Sequence, residues 1–306
     1  MRSLKNPSSH FLAGLQALLV TFLWSTSWVL IKIGLGDIPT LTFAGLRYAL
    51  AFLILLPFFL RSRPGAALRA LPAAGWARLL ILGFLYYTLT QGTQYIGLDY
   101  LPAVTVSLLL NFSPVLVALL GAVLLAERPS IPQWLGVLLS VAGTLLYFYP
   151  VAIPAGQLIG FAAVLLSLLA NAGSSVLGRD INRSGALPPL TVTVVSIGFG
   201  ACLLLASGLL LEGFPQLSLQ SWLIIAWLAL VNTAFAFTLW NHTLRTLSAV
   251  ESSVINNTML VQIAILAWLF LDERLAPVEI AGLILAGLGS LVVQLRRSPR
   301  KTVATT

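Results

Sequence analysis

The chain has 306 residues, of which 58% are hydrophobic and 8% charged, with a mean hydropathy of +0.97 and a net charge of +8. Soluble domains carry about a quarter of their residues as charges, so a water-soluble fold is excluded and an integral membrane protein is expected. The basic residues sit at the ends of apolar segments, where they read as topology signals and not as a nucleic-acid surface.

Ten apolar segments follow one another, at 11–35, 39–60, 75–98, 102–126, 131–149, 155–178, 188–211, 219–243, 247–271 and 276–295. Each approaches the ~20 residues that cross a ~30 Å hydrocarbon layer. Lipid leaves no water to pair backbone amides, and these continuous runs lack the alternation of a barrel, so an all-α bundle is expected. Segment 1 is too long for a signal-peptide core and is read as retained. Within it, Trp24 and Trp28 lie well inside the segment, where an indole offers an apolar face and one N–H donor. Lys32, close to its outer end, is expected to snorkel to the interface.

Arg47 lies eight residues into segment 2, roughly 12 Å deep at 1.5 Å per residue. Such a charge needs a partner. The two readings are a structural clamp, onto carbonyls or a carboxylate such as Asp37, Asp99 or Glu279, and attraction of an anionic or zwitterionic solute. In segment 3, Tyr87, Gln91, Gln94 and Tyr95 recur at helical spacing and define one face. Segment 4 has Ser107 and Asn111 one turn apart, then Pro114, which removes a backbone hydrogen bond. Segment 6 offers Asn171 with Ser174 and Ser175; segment 8 offers Asn232, Thr233 and Trp240; segment 9 offers Asn256, Asn257, Thr258 and Gln262. Such polar groups either glue helices together or line a wet cavity, here expected between segments 1, 3, 4, 6, 8 and 9. Glu251, four residues into segment 9, is a candidate proton site or a partner of Arg245. Cys202 is expected to be a small buried hydrophobe, while segments 5 and 10, rich in Gly and Leu, offer faces for helix packing or a homodimer.

Residues 101–146 align without a gap on 247–292 at a constant offset of 146, with 15 of 46 pairs identical. Among the identities are Ser107/Ser253, Asn111/Asn257, Glu127/Glu273, Arg128/Arg274, Gly136/Gly282 and Gly143/Gly289, whereas Pro114 faces Leu260, so an asymmetric hinge is expected. With the N-terminus in the cytoplasm, fourteen Lys and Arg fall inside and only Arg274 in an outer loop. An odd number of segments per copy then inverts the second copy. The expectation is two five-helix repeats, 11–149 and 155–295, inverted about a midplane site, with both termini cytoplasmic. The Glu-Arg pairs are read as loop caps and topology signals.

No chemistry is legible beyond transport. His10, His242 and Cys202 stand alone, no GxxxxGK[ST] loop is present, and no paired carboxylates or nucleophile–base spacing occurs, so neither an enzyme nor a metal or other cofactor is expected.

Trp24-Ser25-Thr26-Ser27-Trp28 followed by Lys32, Pro39 with Leu46-Arg47-Tyr48, and the two Glu-Arg pairs ahead of Gly136 and Gly282 resemble the EamA family of drug/metabolite transporters, across about residues 11–295. That resemblance implies a bacterial inner-membrane permease of the ten-helix type, most often an exporter of amino acids or other small metabolites. The expected partners are a small-molecule substrate and the lipid bilayer. The candidate binding set is Trp24, Trp28, Tyr87, Gln91, Tyr95, Asn111, Asn171, Asn232, Asn257 and Gln262, with Arg47 as clamp or anion attractor and Glu251 as proton site. A rival reading is a proton-coupled exporter of lipophilic cations, with Trp24, Trp28 and the tyrosines as an aromatic cage.

Overall fold

The structure, a computed structural model, describes residues 7–63, 65–116, 130–150, 154–243, 246–247 and 249–295. The described residues form helices and turns with no strand. Segments 1 and 2 are the helices Pro7–Gly34 and Thr40–Arg61; segments 5, 6 and 7 are Ile131–Tyr147, Leu158–Ser184 and Pro189–Glu212; segments 9 and 10 are Ala249–Leu271 and Pro277–Leu295. A short helix, Gly65–Arg69, links segments 2 and 3. Among the described residues seven helices are long and apolar enough to cross a membrane, and Ala103–Leu116 and Ile131–Tyr147 are shorter apolar helices.

Segments 3 and 8 are not regular helices. Segment 3 runs as Ala73–Gly83, a π-helical turn over Phe84–Thr90, and Gln91–Tyr100. Segment 8 repeats this as Leu219–Ala229, a π-helical turn over Leu230–Phe235, and Ala236–Thr243. The two turns begin 146 residues apart, the offset of the duplication, so the irregularity belongs to the repeated unit. In each, a threonine hydroxyl donates to the carbonyl five residues back: Thr90 to Leu85 at 2.7 Å and Thr233 to Leu228 at 2.8 Å. Segment 4 breaks as expected near Pro114. Its first helix, Ala103–Leu110, ends in a turn at Asn111 and Phe112, whereas its repeat counterpart in segment 9 is continuous.

The two halves meet most closely along segments 5 and 10. A Cβ on Gly136 would lie 2.8 Å from the carbonyl oxygen of Gly289, and one on Gly143 would lie 2.7 Å from that of Gly282. Only glycine permits such an approach, and the four glycines are two repeat-equivalent pairs that face each other reciprocally. Ser140 Oγ donates to the Ala286 carbonyl across this seam at 3.2 Å. The seam leaves Leu135, Leu138, Ile284 and Leu288 exposed as the face available to lipid or a second copy. Both helices start alike: Gln133 Oε1 accepts from the Ser130 amide at 2.8 Å and Glu279 Oε2 from the Ala276 amide at 2.6 Å, a capping interaction at equivalent positions. Segments 2 and 7 also pack closely, with Gly45 against Leu205 and Gly208 against Thr42.

Large apolar side chains such as Leu53, Phe58, Leu138, Leu210 and Trp268 cover the outside of the bundle, which suits a lipid solvent. Cys202 is exposed on that surface rather than buried as expected, because segment 7 turns its Ile197, Ala201 and Leu204 inward.

Candidate functional site

A cavity of about 380 Å³ lies in the middle of the bundle, walled by segments 1, 3, 4, 6, 8 and 9 as expected, and also by segments 2 and 10. The wall brings together Trp24, Trp28, Arg47, Gln91, Asn111, Asn171 and Asn257 from the candidate set, and adds Tyr48, Tyr86, Gln94, Asn256 and Gln294. Trp24 packs with Phe237 and with Trp240, each at 5.2 Å between ring centroids, giving the cavity an aromatic side. Asn171 Nδ2 donates to Ser113 Oγ at 2.9 Å and so joins segment 6 to the broken part of segment 4.

Five candidates lie elsewhere. Tyr87 lines a second cavity of about 620 Å³ whose wall includes Asn182, Pro189 and His242; Tyr86 and Phe237 line both cavities and stand between them. The reason is the π-helical turn. The spacing Tyr87, Gln91, Gln94 assumes 3.6 residues per turn, but one extra residue in the turn aligns Tyr86, five before Gln91, with the face that Gln91 and Gln94 present. Tyr95 is fully buried, edge-on to Phe43 at 5.2 Å. Asn232 is buried and donates through Nδ2 to the Leu23 carbonyl, to Thr26 Oγ1 at 3.1 Å and to Ser27 Oγ at 2.8 Å, holding segment 8 to segment 1. Gln262 accepts from Ser25 Oγ at 3.0 Å and donates to Thr258 Oγ1 at 2.9 Å, holding segment 9 to segment 1. These two amides act as helix glue. Glu251 meets His10 Nε2 at 3.2 Å, at the end of the bundle and away from the cavity; the expected partner, Arg245, lies outside the described residues.

Arg47 is 5% exposed and, among the described residues, forms neither the carbonyl nor the carboxylate hydrogen bond expected of a clamp. Its Nε donates to Thr233 Oγ1 and its Nη1 to the Tyr95 hydroxyl, both at 3.2 Å, and its guanidinium carbon lies 5.2 Å from the Tyr48 ring centroid. The ion pairs among the described residues are His10–Glu251, Arg78–Asp180 and Arg274–Asp272, so no carboxylate there neutralises Arg47. Two more donors of the wall residues, Trp24 Nε1 and Asn257 Nδ2, are buried without a hydrogen-bond partner among the described residues.

One end of the bundle is tied by charge. Glu273 Oε1 accepts from the Ala103 amide at 2.7 Å and its Oε2 from the Val104 amide at 3.1 Å, so a carboxylate of the second half caps segment 4 of the first. Glu127, its repeat counterpart, lies outside the described residues. Glu212 likewise accepts from the Leu41 and Thr42 amides at 2.9 and 2.8 Å. Lys32, expected at the interface, instead donates to the carbonyls of Leu98 and, at 2.9 Å, Leu101, closing the end of segment 3. The sequence carries no local signal for these long-range caps.

The profile of the EamA-like transporter family matches residues 11–149 and again 158–295. The chain belongs to that family. It is 29% identical to the "Uncharacterized transporter YvbV" of Bacillus subtilis, over 94% of each chain. It is 28% identical to a "Probable amino-acid metabolite efflux pump" of Salmonella typhimurium, over 90% of this chain and 93% of that one. A crystal structure with a TM-score of 0.66 and 20% identity covers 94% of this chain and 98% of its own, which shows the shared fold. This EamA protein is therefore a multi-pass membrane transporter of small molecules and not an enzyme.

Proposed function

We propose that this protein is a secondary transporter that moves small metabolites such as amino acids out of the cell by alternating access around the central cavity. The carrying observation is a cavity of about 380 Å³ with a polar and aromatic wall drawn from both halves, within the range of small-molecule sites. The names of two relatives as amino-acid metabolite efflux pumps support this reading. In this proposal the halves 11–149 and 155–295 are inverted in the bacterial inner membrane, both termini face the cytoplasm, and the end tied by Glu273, Glu212 and Lys32 is the outer one. The broken segment 4 and the paired π-helical turns are the elements that move.

Flux of amino acids and of lipophilic cations into proteoliposomes holding the purified protein tests the reading. Amino acids should exchange across the membrane and the cations should not. Flux of the cations alone would favour the drug-export reading, and flux of neither would overturn both. Cysteines placed beside Arg128 and Arg274 should label from opposite sides of the membrane; labelling from one side would sink the inverted arrangement.

A further inference from the structure

The wall of the central cavity is one-sided in its chemistry. Among the described residues it holds one formal charge, the Arg47 guanidinium, and no carboxylate. A guanidinium carries five N–H donors; the described contacts use Nε and Nη1 only, on Thr233 and Tyr95, which leaves Nη2 without a described partner. The buried donors without a described partner in the same wall, Trp24 Nε1 and Asn257 Nδ2, also call for an acceptor. A buried cation with no counter-charge is costly, and a paired carboxylate is the ligand best matched to its planar fork.

We propose that the solute docks through a carboxylate on Arg47, and that the substrate class is amphipathic carboxylates whose apolar body lies against Trp24, Trp28 and Phe237. The proposal rests on the transporter reading and narrows it. A carboxylate supplies the missing negative charge and two acceptor oxygens at once, whereas a lipophilic cation meets like charge with no acid to offset it. The aromatic side of the cavity, with Trp24 and Phe237 5.2 Å apart, takes a branched aliphatic or aryl group by area burial. Arg47 also bridges the two irregular segments: its Thr233 contact lies within the π-helical turn of segment 8 and its Tyr95 contact lies beyond that of segment 3.

The test is a matched series on the full-length protein in proteoliposomes and detergent: leucine, N-acetylleucine and isovalerate, against leucinamide and isoamylamine. Thermal stabilisation reads binding and vesicle flux reads transport. The carboxylates should stabilise the wild type and the amide and amine should not. Arg47→Gln should weaken carboxylate binding about 30-fold or more, the scale of an unpaired buried charge contact, and Arg47→Lys should restore part of it. Where either variant fails to fold, the wild-type preference for acid over amide still decides the matter.

Equal binding of leucinamide and leucine, or carboxylate binding untouched in a folded Arg47→Gln protein, would overturn the proposal while leaving transport intact. Absence of binding by every carboxylate overturns it as well. Carboxylate binding that depends on Arg47 without any flux would uphold the docking site and refute the transporter reading.

Discussion

The seam between segments 5 and 10 and the central cavity are both built where duplicated helices meet, and they are opposite in kind. At the seam the equivalent residues stayed identical, Gly136 with Gly282 and Gly143 with Gly289, because a Cβ added at any of them would lie 2.6 to 2.8 Å from a facing carbonyl oxygen, too close for any side chain. Around the cavity the equivalents diverged: Pro114 opposite Leu260, Gln91 opposite Phe237, Tyr86 opposite Asn232, and Gln94 opposite Trp240. Asn111 and Asn257 remained alike, both in the wall. Identity persists at the glycines that backbone packing demands, whereas most of these cavity positions have diverged, Asn111 and Asn257 excepted.

The largest effect should come from filling the seam. Gly143→Leu or Gly289→Leu sets a side chain against backbone, at a cost of about 3 kcal/mol or more, read as a lower unfolding temperature in detergent and loss of folded yield. Gly14→Ala, with nothing within 4 Å of the added carbon, should leave both unchanged. If the seam variants prove as stable as the wild type, the close approach is not real.

Inserting an alanine after Leu89 tests the cavity side of the contrast. A one-residue insertion adds to the extra residue that the π-helical turn of segment 3 already absorbs and rotates one flank by about 100°, so that Gln91 and Gln94 leave the wall. Flux should fall at least about tenfold with the protein still folded. Retained flux would mean that the turn has no part in aligning the wall.

Glu273→Ala removes the carboxylate that caps segment 4, worth about 1 kcal/mol for such a cap. Labelling of a cysteine at Ser107 from the side of the membrane at which Glu273 lies, in a Cys202→Ser background, should accelerate severalfold; an unchanged rate would remove Glu273 from any role in closing that end. Asn257→Leu should act in the opposite direction on stability. Deleting a buried donor that lacks a described partner should raise stability by up to about 1 kcal/mol while lowering flux. A less stable Asn257→Leu protein would show that the amide is satisfied and belongs to the packing.

Much of the architecture was legible in the residue order, because lipid requires every span to pair its own amides. Apolar run length therefore translates directly into helices, and a constant offset of 146 residues into a repeated unit. The cavity was legible in part for the same reason. Polar groups deep in a span must face protein or water, and Trp24, Trp28, Gln91, Asn111, Asn171 and Asn257 do line it. Tyr87 was misplaced on that face because a periodicity of 3.6 cannot register an inserted residue. Asn232 and Gln262 were inseparable from cavity residues in sequence, since an amide that bonds a neighbouring helix and one that awaits a solute look alike until that neighbour is in place.

The amino-acid order alone determined that this chain is a doubled, membrane-embedded helical bundle, since those traits depend on local hydropathy and self-similarity. Only the tertiary structure decided what each buried polar group touches. It set Arg47 among hydroxyls without a described carboxylate and Glu273 on a helix start 170 residues away. Those pairings are long-range, and a hydrogen bond between distant segments leaves no trace in the spacing of either one.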